Sequence, residues 1–363
     1  MIPINRPLLG EEEKREVLSV LDENALTSAA REGGKRVRDF ELSLRRYLGI
    51  KHAIAVNSGT AALQAALMAA GIAHGDEVLL PSFTFVATAN SVVATGAKPV
   101  FVDIKRTDFT IDVSDMKKKM TKKTKAVIPV HLYGHPCDMD EILEIADKRS
   151  IPIIEDACQS LGSTYRKKQT GAFGSMGCFS MYASKVITAG EGGAVVTNDD
   201  RLADRLLMIR NHGMVEGYDT RVLGLNLRLP EMCAAIAKIQ MKKLEAMLGA
   251  RKRNAEQLSQ LLSRAQGFTF PQESDDKKFN WYLYTILFPK SSAREDAKQA
   301  LHENGIGSAV YYDPPVHRTP FYRSKTALPV TEWCAKRVLS LPVHPGVSEQ
   351  DIERIAATLG AKA

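Results

Sequence analysis

The chain has 363 residues, of which 44% are hydrophobic and 25% charged, a composition typical of folded globular proteins rather than disordered or fibrous ones. The net charge is +7, but the basic residues are scattered along the chain, and only 7% of the residues are aromatic. This composition does not favour nucleic-acid binding. The five cysteines show no C-x-x-C spacing, so the sequence indicates neither a disulfide framework nor a zinc site, and we expect a cytoplasmic protein. No stretch approaches the ~20 apolar residues that span a bilayer.

Residues 40–200 alternate between short apolar runs and segments with helical spacing. Strands are predicted at HAIAVN, EVLLPS, PVFVDI, KAVIPVHL and IPIIEDA, and helices at TAALQAALMAAG, TFVATANSVVATG and DMDEILEIADKRS. This alternation predicts right-handed βαβ crossovers and an α/β fold with a mostly parallel sheet. Because ligands bind such sheets at the carboxyl ends of the strands, polar residues that follow the strands are candidates for a functional site.

The C-terminal part of the chain has a different pattern. A long helical segment runs from PEMCAAIAKIQ through QLLSRA, and beyond it FNWYLYTILF and GSAVYY are predicted strands. AREDAKQALHENGIG is a predicted helix, and two more are predicted from Thr331 and Ser348. We therefore predict a large α/β domain over residues 1–248 and a smaller α+β domain over residues 249–363, with the N-terminal segment a candidate to pack on the small domain.

Two groups of polar residues directly follow predicted strands. Ser58, Gly59 and Thr60 open a helix after HAIAVN, and amides at a helix N-terminus can bind a phosphate, although a hydroxyl there could simply cap the helix. Glu155 and Asp156 end the apolar run IPIIEDA, where a buried carboxylate is costly unless it has a partner. One of these two carboxylates could instead cap a loop.

Lys185 comes just before the glycine-rich stretch AGEGG. A lysine desolvated in a pocket can react with an aldehyde to form a Schiff base. A phosphate site, a carboxylate and a lysine, in that order, are the three groups that pyridoxal phosphate requires of a protein. The residues alone leave open a structural ion pair between Lys185 and Asp156 in a domain without a cofactor.

The chain resembles the DegT/DnrJ/EryC1/StrS family of pyridoxal-phosphate-dependent sugar aminotransferases over nearly its whole length. The resemblance rests on NSGTAAL, EVLLPSFTFVAT, PVFVDI, AVIPVHLYGHPCDMDEI, IIEDACQSLGS, GCFSMYASK, EGGAVVTND, LGLNLRLPEMCAA and SLPVHP in this order. It implies an aspartate-aminotransferase-like fold (PLP fold type I) and pyridoxal 5'-phosphate as the cofactor. It also implies a homodimer with shared active sites.

The resemblance also implies roles for individual residues. Asp156 would pair with the ring nitrogen, Gln159 would lie near the ring hydroxyl, and Lys185 would hold the cofactor as an internal aldimine and later move a proton. The other candidates are Gly59, Thr60 and Ser180 for the phosphate, Phe85 for one face of the ring, Asn226 for the phosphate of the neighbouring subunit, and Arg228 and His317 for the substrate.

Some of these residues have ordinary structural alternatives. Phe85 could belong to the core, Asn226 and Arg228 could cap the helix that begins near residue 230, and His317 could lie on the surface. The family frequently has asparagine where this chain has Val186. The segment 26–41 (LTSAAREGGKRVRDFE) is longer than usual, which leaves the amino acceptor open.

The resemblance implies transfer of an amino group from glutamate, or glutamine, to a keto sugar linked to a nucleotide diphosphate. Relatives that act on the fourth carbon of the sugar often have histidine at the position of Gln159, so the glutamine favours amination of the third carbon. Lys185 argues against sugar dehydration, because the dehydrating members have histidine there. The alternatives are an aminotransferase for cyclitol ketones and a PLP-binding regulatory or sensor protein without turnover.

Overall fold

The computed structural model describes residues 1–263 and 265–360, so the last three residues of the predicted second domain lie outside the described part. The helices are α1 (Glu11–Asp22), α2 (Lys35–Leu48), α3 (Gly59–Ala69), α4 (Val86–Ala94), α5 (Val113–Lys119), α6 (Met139–Asp147), α7 (Asp200–Arg210), α8 (Glu231–Leu262), α9 (Ser291–Glu303), α10 (Pro329–Ala335) and α11 (Glu349–Thr358). The strands are β1 (His52–Val56), β2 (Glu77–Pro81), β3 (Lys98–Val102), β4 (Thr124–Val127), β5 (Ile154–Asp156), β6 (Thr164–Tyr165), β7 (Lys168–Gln169), β8 (Met176–Ser180), β9 (Gly193–Thr197), β10 (Lys277–Lys278), β11 (Tyr284–Leu287) and β12 (Val338–Leu341). None of the described helices is both long enough and apolar enough to cross a membrane.

The central sheet confirms the predicted mostly parallel α/β architecture. Strands in the order β3-β2-β4 and β5-β8-β9-β1 form its two halves, and parallel bridges from Val127 to Ile153 and from Val130 to Asp156 join them. β2 is parallel to β3 and β4, and β5 is parallel to β8. Only β9 runs the other way, antiparallel to both β8 and β1. This strand was not predicted from the sequence, since the predicted strands over residues 40–200 end with IPIIEDA.

The register of β9 brings the ends of three strands together. Gly193, its first residue, pairs with Ser180 at the end of β8 and with Val56 at the end of β1. Asp156, at the end of β5, pairs with Cys178 of β8. Because β9 is antiparallel, it begins at the same edge of the sheet where its neighbours end. This edge is where the fold places the candidate site.

Helix α3 starts at the same edge. Ser58 has an extended backbone, and its Oγ accepts a hydrogen bond from the amide of Ala61 at 3.0 Å, so that it caps the helix. The helix contacts β8 and β9, and its alanines Ala62 and Ala66 are fully buried. Small side chains allow the helix to lie close to the sheet, which fixes the position of its N-terminus.

The predicted long helical segment is a single helix, α8. It contacts α1, α2 and α11. Near its C-terminal end, Leu258 and Leu262 pack in an apolar cluster with Tyr284 of β11 and with Ile2. The N-terminus of the chain therefore packs among residues of the second predicted domain, while the domain boundary at residues 248/249 stays a prediction.

The prediction of a strand at GSAVYY is wrong. This segment makes only one isolated bridge, between Ala309 and Ser340. The partner of β11 is instead β12, in antiparallel register, formed by VLSL. The aromatic residues Tyr311 and Tyr312, which suggested a strand, line a cavity. The composition of this segment is like that of a strand, because large aromatic side chains are common both in sheets and in pocket walls.

Candidate active site

A cavity of about 480 Å³ opens at the carboxyl edge of the central sheet. It has the size usual for sites that bind small molecules. Its walls come from the start of α3, the start of α4, the end of β5, the loop after β8 and tyrosines from the C-terminal part of the chain. The predicted site residues that line it are Gly59, Thr60, Phe85, Asp156, Gln159, Ser180 and Lys185.

Asp156 is 5% exposed and lies at the base of the cavity. Its Oδ2 accepts a hydrogen bond from Thr88 Oγ1 at 2.7 Å, and its Oδ1 accepts one from the amide of Cys158 at 3.1 Å. Within the described residues it takes part in no ion pair, so the structural pair with Lys185 is not formed. A buried carboxylate without a cation is costly, and its free side faces the cavity.

Glu155, the neighbour of Asp156, has a structural role. The sequence left open that one of these two carboxylates caps a loop. It is fully buried and accepts hydrogen bonds from the amides of Gly171, Phe173 and Gly174 at 2.6–2.7 Å, and it lies 3.0 Å from His131 Nε2. Successive residues of a strand point to opposite faces. Glu155 therefore anchors the loop before β8, while Asp156 faces the cavity.

Two glycines let the backbone come close at the N-terminus of α3. A Cβ on Gly59 would lie 2.7 Å from Ser180 Cβ and 3.1 Å from Cys158 Sγ. A Cβ on Gly193 would clash with the backbone of Ser58 and lie 2.8 Å from the amide nitrogen of Gly59. The absent side chains leave a cradle of backbone amides beside the Ser180 hydroxyl, which is the arrangement that binds a phosphate.

Lys185 lies in the loop between β8 and β9, five residues beyond the end of the strand. Its amide donates to the carbonyl of Tyr182 at 2.9 Å, and its Nζ lies 4.6 Å from the centre of the Tyr282 ring. The ring covers one side of the amine, and both residues line the cavity. Cys158 lines it as well, but burial and the nearby Asp156 raise the pKa of its thiol well above the ordinary value, which favours the less reactive protonated form.

Gln159 is held by two contacts across the cavity wall. Its Oε1 accepts from the amide of Tyr133 at 2.8 Å, and its Nε2 donates to the hydroxyl of Tyr312 at 3.2 Å. Burial, together with Tyr282, raises the pKa of the Tyr312 phenol, which therefore keeps its proton. The alternative of Phe85 as a core residue is not supported, because its side chain is 54% exposed and lies 6.0 Å from Tyr312, centre to centre.

Asn226 and Arg228 are not among the described residues that line the cavity of this subunit. Asn226 is exposed, and Arg228 Nη1 donates to Asn211 Oδ1 at 2.6 Å. Neither residue caps α8. The N-cap residue of this helix is Pro230, and the described structure has no side-chain capping hydrogen bond there. Their predicted roles require a second subunit and stay predictions.

His317 lies in the core, neither on the surface nor among the described residues of the cavity wall. Its Nδ1 accepts from Ser82 Oγ at 2.6 Å, and its Nε2 lies 3.2 Å from Glu332 Oε1. Burial lowers the pKa of the imidazole, which is neutral and donates through Nε2. Although the order serine, histidine, carboxylate resembles a hydrolase triad, Ser82 is fully buried, so its hydroxyl cannot reach a substrate.

The second half of segment 26–41 belongs to helix α2, which begins at Lys35. Arg36 is buried and pairs with Glu16 and Glu23, and Arg31 pairs with Asp204. These arginines are engaged within the chain and are not free to contact an acceptor.

Thr88, Tyr282 and Tyr312 are among the residues of the site that were not identified from the sequence. Thr88 carries a local signal, since it lies three residues after Phe85 on the first turn of α4 and so faces the same way. The two tyrosines are more than 90 residues from Lys185 and carry no such signal. Only the folded chain brings them to the lysine.

Pyridoxal phosphate fits these residues. The glycine cradle at the capped start of α3 suits its phosphate, and no cation among the described residues pairs with Asp156, so that a protonated ring nitrogen would supply one. Lys185 lines the same cavity and is not engaged in an ion pair with Asp156.

Comparisons with known proteins agree with this fit. The model of the DegT/DnrJ/EryC1/StrS aminotransferase family matches residues 7–360. A UDP-N-acetyl-3-dehydro-alpha-D-glucosamine 3-aminotransferase of Acidithiobacillus ferrooxidans is 39% identical over 90% of this chain and 88% of its own. A pleiotropic regulatory protein of Geobacillus stearothermophilus is 40% identical over 97% of this chain and 98% of its own.

A solved structure shows the same fold. The crystal structure of DesV from S. venezuelae, in complex with a ketimine intermediate, has a TM-score of 0.91 and 37% sequence identity, covering 96% of this chain and 93% of that one. Fold, cavity and relatives together define the protein as an aminotransferase. The chain belongs to the DegT/DnrJ/EryC1/StrS aminotransferase family. The predicted fold class and family resemblance are confirmed.

Proposed function

We propose that this aminotransferase uses pyridoxal 5'-phosphate to transfer an amino group from glutamate, or glutamine, to the ketone of a nucleotide-linked sugar. The relative named as a UDP-sugar 3-aminotransferase supports a nucleotide-linked substrate and is consistent with amination of the third carbon. The observation that carries the proposal is the buried Asp156 carboxylate, without a cation in the described structure, in one cavity with Lys185. When bound, the cofactor supplies an electron sink for the carbon that loses or gains the amino group.

The residues of the chain hold and orient the reacting groups. The amides at the start of α3, with Gly59 and Thr60, and the Ser180 hydroxyl bind the phosphate. Asp156 keeps a proton on the ring nitrogen, because the charged pair is favoured in this buried position. Gln159 would hold the ring hydroxyl, and Phe85, which lines the same cavity, would cover the ring and exclude water there.

Lys185 has two tasks in this proposal. Its amine would hold the cofactor through the cofactor's aldehyde group, and the same amine, when free, would move a proton between carbon atoms. Tyr282, with its ring 4.6 Å from Nζ, limits the directions that the amine can take. A homodimer completes the site, with Asn226 reaching the partner's phosphate and Arg228 near the substrate.

The visible absorption spectrum of the purified protein tests the proposal. We expect wild type with added pyridoxal phosphate to show the band of the lysine-bound cofactor, and glutamate to convert it. Lys185→Ala should lose the band, whereas Lys117→Ala, on the exposed side of α5, should keep it. Wild type without any band would contradict the proposal.

The choice of donor and acceptor needs a second assay. Glutamate and glutamine are compared as donors, with nucleotide-linked 3-keto sugars, 4-keto sugars and cyclitol ketones as acceptors. If only a cyclitol ketone is turned over, the acceptor is a cyclitol ketone and not a nucleotide-linked sugar. Cofactor binding without turnover of any acceptor would favour the regulatory alternative, to which the relative named as a regulatory protein lends support.

A further inference from the structure

The first residues of the chain connect the C-terminal part of the molecule to the loop that carries Lys185. We name residues 2–8 the N-terminal strap. At one end, the amide of Ile2 donates to the carbonyl of Gly305 at 2.8 Å, and the carbonyl of Ile2 accepts from Gly307 at 2.6 Å. His344 Nε2 lies 3.1 Å from the carbonyl of Pro3. The start of the strap is therefore fixed by backbone contacts.

The middle of the strap contacts the lysine loop through Asn5. Its Nδ2 donates to the carbonyl of Ser184, the residue that precedes Lys185. Its Oδ1 accepts from Arg251 Nη2 at 3.1 Å. Asn5 thus joins the backbone next to the lysine to a side chain of helix α8.

Arg251 determines which way the Asn5 amide points. The guanidinium is 2% exposed, and none of the ion pairs between described residues includes it. Its Nη1 donates to the carbonyls of Trp281 and Tyr282, both at 3.2 Å. Burial lowers the pKa of Arg251 to about 10, so it stays a cation at neutral pH. A buried donor needs an acceptor, so the amide oxygen of Asn5 must face Arg251, which directs Nδ2 at Ser184.

The same elements surround Lys185 on its other sides. Ser184 Oγ lies 3.3 Å from the hydroxyl of Tyr282, whose carbonyl Arg251 binds and whose ring covers the lysine amine. Beyond the lysine, Gln240 Nε2 donates to the carbonyl of Leu8 at 2.8 Å, and its Oε1 accepts from the amide of Thr188 at 3.4 Å. The strap therefore holds the loop on both sides of the lysine.

We propose that Asn5 is a positioning residue for Lys185. It lies outside the described cavity wall and acts through the Ser184 carbonyl, which it keeps in the orientation that points the lysine into the cavity. The proposal rests on the proposed role of Lys185 as the residue that binds the cofactor. It assigns a function at the active site to a strap that the site motifs do not include.

Two variants of Asn5 separate its hydrogen bond to Ser184 from its hydrogen bond to Arg251. Asn5→Asp keeps an acceptor for Arg251 but loses the donor to Ser184, while Asn5→Ala loses both. Arg6→Ala is the matched control, because the side chain of Arg6 is exposed. Hydrogen exchange of the peptide 181–189 is measured without cofactor, and pyridoxal phosphate binding is followed by absorbance and by visible circular dichroism.

We expect Asn5→Asp and Asn5→Ala to speed exchange of the 181–189 peptide and to weaken cofactor binding about 3- to 10-fold, the effect of one hydrogen bond. The visible circular dichroism of the bound cofactor should change in both variants, and Arg6→Ala should match wild type. If Asn5→Asp behaves as wild type and only Asn5→Ala is affected, Asn5 serves Arg251 alone and the inference is overturned. If wild type itself binds no pyridoxal phosphate, the proposed function fails instead, and the exchange data remain a separate test of the strap.

Discussion

Thr88 Oγ1 donates a hydrogen bond of 2.7 Å to Asp156 Oδ2, and Thr84 Oγ1 lies 2.8 Å from the Thr88 hydroxyl. The first turn of α4 thus fixes the rotamer of the carboxylate at the base of the cavity. A carboxylate whose two oxygens are both hydrogen-bonded has a fixed orientation. Such a carboxylate binds a ligand nitrogen better than a freely rotating one would.

Thr88→Val should therefore reduce activity without changing the fold. Valine has nearly the same shape but cannot donate, so Asp156 Oδ2 loses a charge-assisted hydrogen bond worth about 1.5–3 kcal/mol. We expect kcat/KM to fall by about 10- to 100-fold, measured with amino donor and acceptor at saturating cofactor. Thr95→Val is the control, because Thr95 at the end of the same helix bonds only the carbonyl of Val92. Equal losses in both variants would contradict the role of Thr88.

Gly59→Ala should weaken cofactor binding. The new Cβ would lie 2.7 Å from Ser180 Cβ, a distance that side-chain carbons do not adopt, so the start of α3 or Ser180 must move. We expect at least a 10-fold rise in the Kd for pyridoxal phosphate, measured by absorbance titration. Gly249→Ala, inside α8 with only a flexible arginine nearby, should instead stabilise the protein by about 0.5–1 kcal/mol. Unchanged cofactor binding in Gly59→Ala would remove the argument for the cradle.

Glu155→Gln should destabilise the protein strongly. The glutamine amide would bring a donor to a place where the amides of Gly171, Phe173 and Gly174 already donate. Because the side chain is fully buried, we expect a loss of about 3–5 kcal/mol in the free energy of unfolding, measured with urea. Glu144→Gln, on an exposed helix face, should leave the free energy of unfolding close to that of wild type. A small effect of Glu155→Gln would contradict its anchoring role.

Acid should destabilise the protein partly through Asp108. Burial raises the pKa of this carboxyl, but Lys277 and Lys105, with Nζ atoms 2.8 Å away, outweigh it and lower the pKa to about 2. The unfolded value is 3.8, so the contribution is present above pH 3.8 and is lost as the pH falls towards 2. The shift corresponds to about 2 kcal/mol.

Removing one of these lysines tests whether protonation of Asp108 is coupled to unfolding. In Lys277→Met the pKa of Asp108 should rise, and the pH dependence of unfolding below pH 4 should become flatter than in wild type. Lys290→Met, which removes an exposed lysine elsewhere, should keep the wild-type slope. An unaltered slope in Lys277→Met would show that Asp108 contributes little in the folded state.

Local patterns were enough to predict several of the elements that carry the site. Ser58, Gly59 and Asp156 lie where an apolar run ends, and strand ends in an α/β sheet meet at one edge. Even the different orientations of Glu155 and Asp156 follow from the alternation of side chains along a strand. These features depend on neighbours within a few residues.

Other features depend on partners that are far away in the chain. GSAVYY has the composition of a strand, but β12 pairs with β11 in its place. His317 was predicted from its motif to contact substrate, yet its partners Ser82 and Glu332 come from two separate segments and hold it in the core. Tyr282 reaches Lys185 only because the two parts of the chain pack together. Pairings of this kind are set by tertiary contacts, which a single sequence does not display.

The N-terminal strap also has a consequence for biosynthesis. Ile2 is hydrogen-bonded to residues 305 and 307, and Pro3 to residue 344, so this part of the strap cannot be ordered until those distant residues have been synthesised. Contacts of such sequence separation form late, because the entropy of closing the long loop must be overcome first. The lysine loop therefore acquires its final support at the end of folding. A nascent chain that stalls before residue 305 can complete the central sheet and still lack an ordered active site.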